Sequence, residues 1–121
     1  MKFNTIIPKR LKFYFDKELE QYEHAFAAGD LSLAWHHLER AHILGQSYPF
    51  EHSYVHYRML LFGMYTKSPK EIIGQLPRLL VGGIKSFVGK IPVGNTGGAN
   101  VPPLQPMAIP EDLRNILAQN T

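Results

Sequence analysis

Histidine and glutamate side chains are concentrated between Trp35 and His56, a stretch that holds five of the chain's six histidines. Imidazoles and carboxylates bind zinc and related transition metals, and they also serve as general acids and bases. Because the chain has no cysteine, a metal ion would have to be held by nitrogen and oxygen atoms. The segment from Gly45 to Pro49 is typical of a turn between two helices. Such a turn would fold one group of histidines back onto the other.

Helical spacing indicates which of these side chains share a face. Residues three or four apart lie on one side of a helix, so Glu39 pairs with His42, and His52 pairs with His56. Both pairs adjoin apolar stripes. In an antiparallel hairpin centred near residue 47, His42 lies level with His52, and Glu39 lies level with His56. The pattern therefore predicts that the four side chains converge between the helices.

The four residues form a predicted site for one divalent transition-metal ion, with zinc, nickel, cobalt, copper and iron as candidates. His37 lies about 140° around the helix from His42. It is a weaker candidate, either as a ligand or as a residue that supports one. A two-iron centre is disfavoured because the Glu-x-x-His motif occurs only once. The competing interpretation is a hydrogen-bonded His/Glu cluster in a helical core, without any metal.

Apolar periodicity and capping residues predict four main helices. Gly29 ends the first helix, Asp30 caps the second, and Ser47 is the expected cap of the third. Ser68, Pro69 and Glu71 together have the pattern of a capping box at the start of the fourth. The predicted helices cover residues 9–28, 31–44, 49–67 and 69–88, and Pro77 is expected to kink or shorten the last of them.

The composition changes at Gly89, where glycine, proline and asparagine replace the helical pattern. Residues 89–110 are predicted to form an extended loop, followed by a short helix that begins near Glu111. Within the loop, residues 93–101 are rich in glycine. We expect this part to cover the histidine site, with Asn95, Thr96 and Asn100 as its polar residues.

The expected fold is all-α: a single domain over residues 1–121, with two helical hairpins, the long loop and the final short helix. The Gly-Asp turn at residues 29–30 and the small residues after it resemble a tetratricopeptide unit. Two helical pairs are fewer than the three repeats that such arrays usually need. A small closed bundle is therefore the favoured architecture.

The bulk composition narrows the possible partners. The net charge is +3, and its basic residues are mostly scattered. A dense basic stripe would be expected in a nucleic-acid-binding protein, so no nucleic-acid partner is predicted. Neither a signal peptide nor a membrane-spanning segment is evident, and a cytoplasmic location is expected. The oligomeric state is left open.

Three segments resemble a small bacterial family of uncharacterised proteins. They read AWHHLERAHILGQ from residue 34, HSYVHYRML from residue 52 and VGNTGGANV from residue 93. The family has no established activity, but the resemblance implies metal handling, because some relatives lie near metal-resistance genes. The residues that match the family's pattern are His37, Glu39, His42, His52, His56, Asn95 and Asn100.

The leading functional hypothesis is a small metal-binding protein that takes part in metal handling or resistance. A tetratricopeptide-like module that binds a protein partner is the alternative, with the His/Glu cluster as part of its core. A third hypothesis is an enzyme that uses the same cluster for general acid–base catalysis. The sequence names no substrate, so whether the protein is an enzyme is left open.

Overall fold

A computed structural model describes residues 6–75 and 108–120 of the chain. It shows an all-α fold. No strand occurs within these two ranges. The helices are α1 (Lys9–Ala27), α2 (Leu31–Gly45), α3 (Pro49–Thr66), α4, which begins at residue 69 and is described as far as 75, and α5 (Glu111–Asn120). The predicted order of four main helices and a final short helix is confirmed. The predicted extension of α4 to Val88, the kink at Pro77 and the loop between residues 89 and 107 lie outside the described residues.

The turn between α1 and α2 follows from two residue types. Gly29 has a φ of +79°, a left-handed conformation that glycine adopts without strain. The N–H of Gly29 donates to the carbonyl of Phe26, and the N–H of Asp30 donates to that of Ala25, which is the Schellman pattern. The Asp30 carboxylate then accepts from the N–H of Leu33 at 3.1 Å. Both residues therefore act as the sequence predicts.

The start of α3 differs from the prediction. Tyr48, and not Ser47, is the N-cap residue, and its side chain makes no capping hydrogen bond. Pro49 lies in the first turn, where its fixed φ suits a helix and its missing N–H costs nothing. The carbonyl of Gly45 accepts from the N–H of Tyr48, so the turn closes through the backbone. The prediction that Ser47 caps α3 was wrong for this reason.

The end of α3 and the start of α4 adjoin each other. Lys67 adopts a left-handed conformation with φ +58°, and the N–H of Ser68 donates to the carbonyl of Gly63. The Ser68 hydroxyl oxygen accepts from the N–H of Glu71 at 3.3 Å. This is the expected cap of α4.

The hydrophobic core is built around α2, which contacts α1, α3 and α5. Ala34, Leu38 and Ala41 are fully buried along one face of α2. Small residues at the first and last of these positions let neighbouring helices approach closely. The other buried apolar residues in this cluster include Leu11, Phe15 and Tyr22 of α1, Val55, Met59 and Phe62 of α3, and Leu113 of α5.

At Gly45, the last residue of α2, the helices α1 and α3 both approach the backbone closely. A Cβ atom placed on it would lie 2.7 Å from Cε1 of Phe15 on α1 and 2.9 Å from Cβ of Glu51 on α3. Farther along the same hairpin, the rings of Trp35 and Phe62 lie 5.2 Å apart between their centroids. These contacts define the antiparallel register of α2 and α3, and α2 includes Gly45 as its last residue.

The C-terminal helix α5 is tied to α2 by an ion pair. Both terminal nitrogens of Arg40 donate to the carboxylate of Asp112, and Nε of Arg40 donates to Glu18 of α1 at 2.8 Å. The Arg40 guanidinium therefore joins α1, α2 and α5. Its hydrogen bond holds the pKa of Asp112 below the ordinary value. None of the helices in the described ranges has both the length and the apolar character needed to cross a membrane.

Candidate metal centre

Three imidazoles meet between α2 and α3. Nε2 of His56 lies 3.1 Å from Nε2 of His42 and 3.1 Å from Nε2 of His52. The ligand atoms of all three residues lie within 4.8 Å of one another. The same ring nitrogen of each histidine thus takes part in these close approaches.

Helix geometry accounts for this convergence. His52 and His56 are four residues apart on α3, so they share one face of that helix. His42 lies in the last turn of α2 and reaches them across the hairpin. The three residues are between 2% and 5% exposed, although histidine is not usually so deeply buried. Buried polar groups need partners, and here the nearest ones include other imidazoles.

The fourth helix contributes a glutamine to the cluster. Gln75 is fully buried, and its Oε1 lies 2.6 Å from Nδ1 of His56. An amide oxygen can only accept, so the Nδ1–H of His56 donates this hydrogen bond. Nε2 of Gln75 in turn donates to Oε1 of Glu71 at 2.7 Å. A continuous chain of hydrogen bonds therefore leads from the three imidazoles to a carboxylate on α4.

The spacing of the nitrogens fits a metal ion. A tetrahedral zinc ion binds nitrogen at ~2.0–2.1 Å, which places two of its ligand nitrogens about 3.3 Å apart. Octahedral angles at the same bond length place them about 2.9 Å apart. The two separations of 3.1 Å lie between these values. Two of the three separations therefore fit one ion, and the ligand atoms of all three histidines lie within 4.8 Å of one another.

Glu39 stands outside this group of three. It is half-buried on α2, about one turn before His42. The predicted register also places His42 level with His52, and in the structure the ring centroid of His42 lies 4.9 Å from that of His52 and 4.8 Å from that of His56. Coordination by Glu39 stays a prediction.

The remaining histidines of the chain lie elsewhere. Nδ1 of His37 is 2.8 Å from Oε1 of Glu18, the same oxygen that accepts from Arg40. His37 thus bridges α2 to α1, and any role for it at the metal site stays a prediction. His36 is exposed, and His24 is exposed on α1 beside Glu20. The expected covering residues Asn95, Thr96 and Asn100 lie outside the described part of the chain.

Gln75 and Glu71 were missed as members of the site. Glu71 was predicted to be part of the cap of α4, and no role was predicted for Gln75. A signal was present, because the two are four residues apart and therefore share a face of α4. Their connection to His56 depends on how α4 packs against α3, which the local sequence does not determine.

The fold and the cluster define a class: a small all-α protein with three buried histidines that can hold a metal ion. Residues 9–117 match the model of a protein family described as "Protein of unknown function (DUF3703)". Because the match covers most of the chain, the protein belongs to this family. The resemblance to an uncharacterised family is thereby confirmed. No curated protein and no solved structure matches the chain.

Proposed function

We propose that this protein binds one divalent transition-metal ion between α2 and α3. His42, His52 and His56 are its ligands in this proposal, each through Nε2, and Glu39 supplies a fourth ligand from α2. Three imidazoles and a carboxylate suit zinc, nickel, cobalt, copper or iron better than the hard cations magnesium and calcium, which prefer oxygen ligands.

One observation carries the proposal: Nε2 of His56 lies 3.1 Å from Nε2 of two other buried histidines. Since the Nδ1–H of His56 donates to Gln75, its neutral ring has a lone pair on Nε2. A second and a third imidazole aimed at the same lone pair make a crowded hydrogen-bonding arrangement. One cation at the centre would satisfy a lone pair from each ring.

The proposal concerns binding and handling of metal, not catalysis. A catalytic metal keeps one coordination position for water or substrate, whereas a structural or storage site is closed by protein ligands. Coordination by Glu39 would complete a closed set of four. The family resemblance, which implies metal handling, supports the same function.

Metal analysis of the purified full-length chain tests the proposal. We expect about one equivalent of metal per chain after incubation with zinc, nickel, cobalt or copper and removal of excess ion. His42→Ala, His52→Ala and His56→Ala should each lose most of the affinity. His24→Ala and His36→Ala are matched controls, because they remove exposed histidines. Glu39→Gln tests the fourth ligand separately.

The result that sinks the proposal is equally concrete. Wild-type protein that retains no metal from any of the four ions, and whose melting temperature none of them changes, would have no such site. Equal metal retention by wild type and His56→Ala would also exclude it. If Glu39→Gln binds metal like wild type while the His42, His52 and His56 variants do not, the three histidines hold the ion and the assignment of Glu39 is wrong.

Exposed apolar residues on α3 favour a second candidate function, a tetratricopeptide-like module that binds a protein partner. Phe50, Tyr57, Leu61 and Met64 follow each other along one side of α3, and all four are exposed. A shallow depression of about 500 Å³ adjoins the end of this side, between Met64 and Ile73. A partner-binding role predicts that His42→Ala leaves binding intact, while Leu61→Ser and Met64→Ser weaken it. Pull-down with each variant measures this.

A further inference from the structure

A helix outside the α2–α3 hairpin reaches His56. Gln75 of α4 is fully buried, and its amide oxygen accepts from Nδ1 of His56 at 2.6 Å. Burial without a partner would cost the free energy of desolvating a polar amide. The contact with His56 compensates part of that cost and places α4 beside the cluster.

Glu71 determines which way the Gln75 amide faces. A carboxylate accepts hydrogen bonds and cannot donate them, so the Gln75 atom 2.7 Å from Oε1 of Glu71 is the NH₂ group. The amide oxygen consequently points to His56. With this orientation, a neutral His56 ring must carry its proton on Nδ1 and its lone pair on Nε2.

The chain conformation around α4 supports the same arrangement. The Ser68 hydroxyl accepts from the N–H of Glu71 and holds the first turn of α4. Gly63 of α3 lets α4 pack closely, because a Cβ atom there would lie 3.1 Å from Cβ of Glu71. Glu71 is thus held both by its backbone and by the surface of α3.

We propose that Gln75 is a positioning residue for the metal site. It selects the tautomer of His56 that has its lone pair on Nε2, the nitrogen that faces His42 and His52, and Glu71 orients the Gln75 amide. This inference rests on the proposed function, since it describes how one metal ligand is prepared. His56 is the residue for which a fixed tautomer matters most, because its Nε2 lies 3.1 Å from both other imidazoles. A partner on the far ring nitrogen commonly sets the orientation of a metal-binding histidine.

The choice of glutamine has a chemical consequence. A carboxylate in this place could take the Nδ1 proton from a metal-bound imidazole and increase the negative charge of the ligand. An amide is neutral and cannot accept that proton at ordinary pH, so His56 binds as a neutral imidazole. The carboxylate of Glu71 acts through the neutral amide of Gln75, which adds no charge to the ligand.

The first experiment needs no metal. Long-range ¹H–¹⁵N correlation spectra of the ¹⁵N-labelled, metal-free full-length protein report which nitrogen of each neutral histidine carries the proton. We expect His56 to be protonated on Nδ1 in the wild type. Gln75→Met replaces the amide acceptor with a side chain of similar size. In this variant we expect His56 to be protonated on Nε2, or on Nδ1 and Nε2 in a mixture of tautomers. Glu71→Gln still offers an acceptor to the Gln75 amide and should retain the wild-type tautomer.

The second experiment uses zinc, measured by competition with a chromophoric chelator. We expect Gln75→Met to weaken zinc binding by about 10–100-fold, the usual effect of removing such a partner. Glu71→Gln should stay close to wild type. Lys70→Met places the same side chain on an exposed position of α4 and serves as the control.

The outcomes separate the two proposals. A wild-type His56 protonated on Nε2, or a Gln75→Met variant with the wild-type tautomer, would overturn the role of Gln75 whether or not zinc binds. A wild type with the expected tautomer but no zinc binding would leave Gln75 as the residue that sets the tautomer and would refute the metal function. The wild-type spectrum alone decides the tautomer even if Gln75→Met does not fold.

Discussion

Nε2 of His42 lies 3.1 Å from Nε2 of His56, although the two residues are fourteen positions apart in the chain and belong to different helices. The approach depends on the turn between α2 and α3. Gly45 lets Phe15 and Glu51 come within van der Waals distance of the backbone there, which sets the register of the hairpin. Gly45, three residues after His42 at the end of α2, thus contributes to the close packing that brings the two imidazoles together.

Zinc should stabilise the protein if the three histidines bind it. At a free concentration 100 times the dissociation constant, an ion that binds only the folded state adds ~2.7 kcal/mol. For a chain of this size, that amounts to a rise in melting temperature of roughly 10 °C. Differential scanning calorimetry with and without zinc measures the shift, which a chelator should reverse. The shift should vanish in His52→Ala and persist in His24→Ala, and an equal shift in both variants would contradict the assignment.

Replacement of Gly45 by alanine should destabilise the fold. The new Cβ would lie 2.7 Å from Phe15 and 2.9 Å from Glu51, so one of the helices must move. Overpacking of this kind costs about 1–3 kcal/mol, which urea denaturation would measure. Gly63→Ala is the comparison, because its closest contact is 3.1 Å, to the Cβ of Glu71, and the loss should be smaller. A variant Gly45→Ala as stable as the wild type would show that the turn has room.

The ion pair between Arg40 and Asp112 should give the attachment of α5 a pH dependence. The hydrogen bond from Arg40 lowers the pKa of Asp112 below the ordinary 3.8. A carboxyl group with a lowered pKa in the folded state stabilises the protein above the unfolded value, and this contribution is lost as the pH falls through the folded value. The Asp112 side chain is 58% exposed, so the effect should stay below about 1 kcal/mol.

The check is the difference in melting temperature between wild type and Asp112→Asn. Wild type should be the more stable of the two at pH 6, and the difference should shrink as the pH is lowered toward 3. Lys12 and Asp16 form an exposed pair within α1, so Asp16→Asn is a control that leaves α5 attached. A difference that grows on acidification would refute the sign of this prediction.

Substitution of Lys67 by glycine should stabilise the protein. Lys67 has a φ of +58° at the end of α3, a conformation that costs a side-chain-bearing residue free energy and that glycine adopts freely. We expect a gain of ~0.5–1 kcal/mol in the free energy of unfolding, measured in urea. Lys17→Gly, in the middle of α1, should lose about 1 kcal/mol instead. A loss in both variants would mean that the Lys67 side chain makes a contact worth more than the backbone strain.

Local residue types were sufficient to predict most helix boundaries. Gly29 requires a left-handed conformation and Asp30 supplies a carboxylate, so the first turn depends only on neighbouring residues. The start of α3 was predicted less well, because Ser47 and Tyr48 compete for the cap. There the backbone hydrogen bond from Tyr48 to Gly45 decides, and a preference for serine at caps does not reveal it.

Spacing along α3 was sufficient to predict that His52 and His56 share a face, because four residues complete about one helical turn. The sequence also predicted that His42 could meet them, since a short turn makes neighbouring helices antiparallel. The 3.1 Å approach of Nε2 of His42 to Nε2 of His56 depends instead on how α2 and α3 pack against each other, which spacing within either helix does not determine. The same holds for Gln75, nineteen residues from His56, whose place in the cluster results from the packing of α4 on α3. Spacing within one helix is a local property, whereas the height of one helix against another depends on side-chain contacts along their whole length.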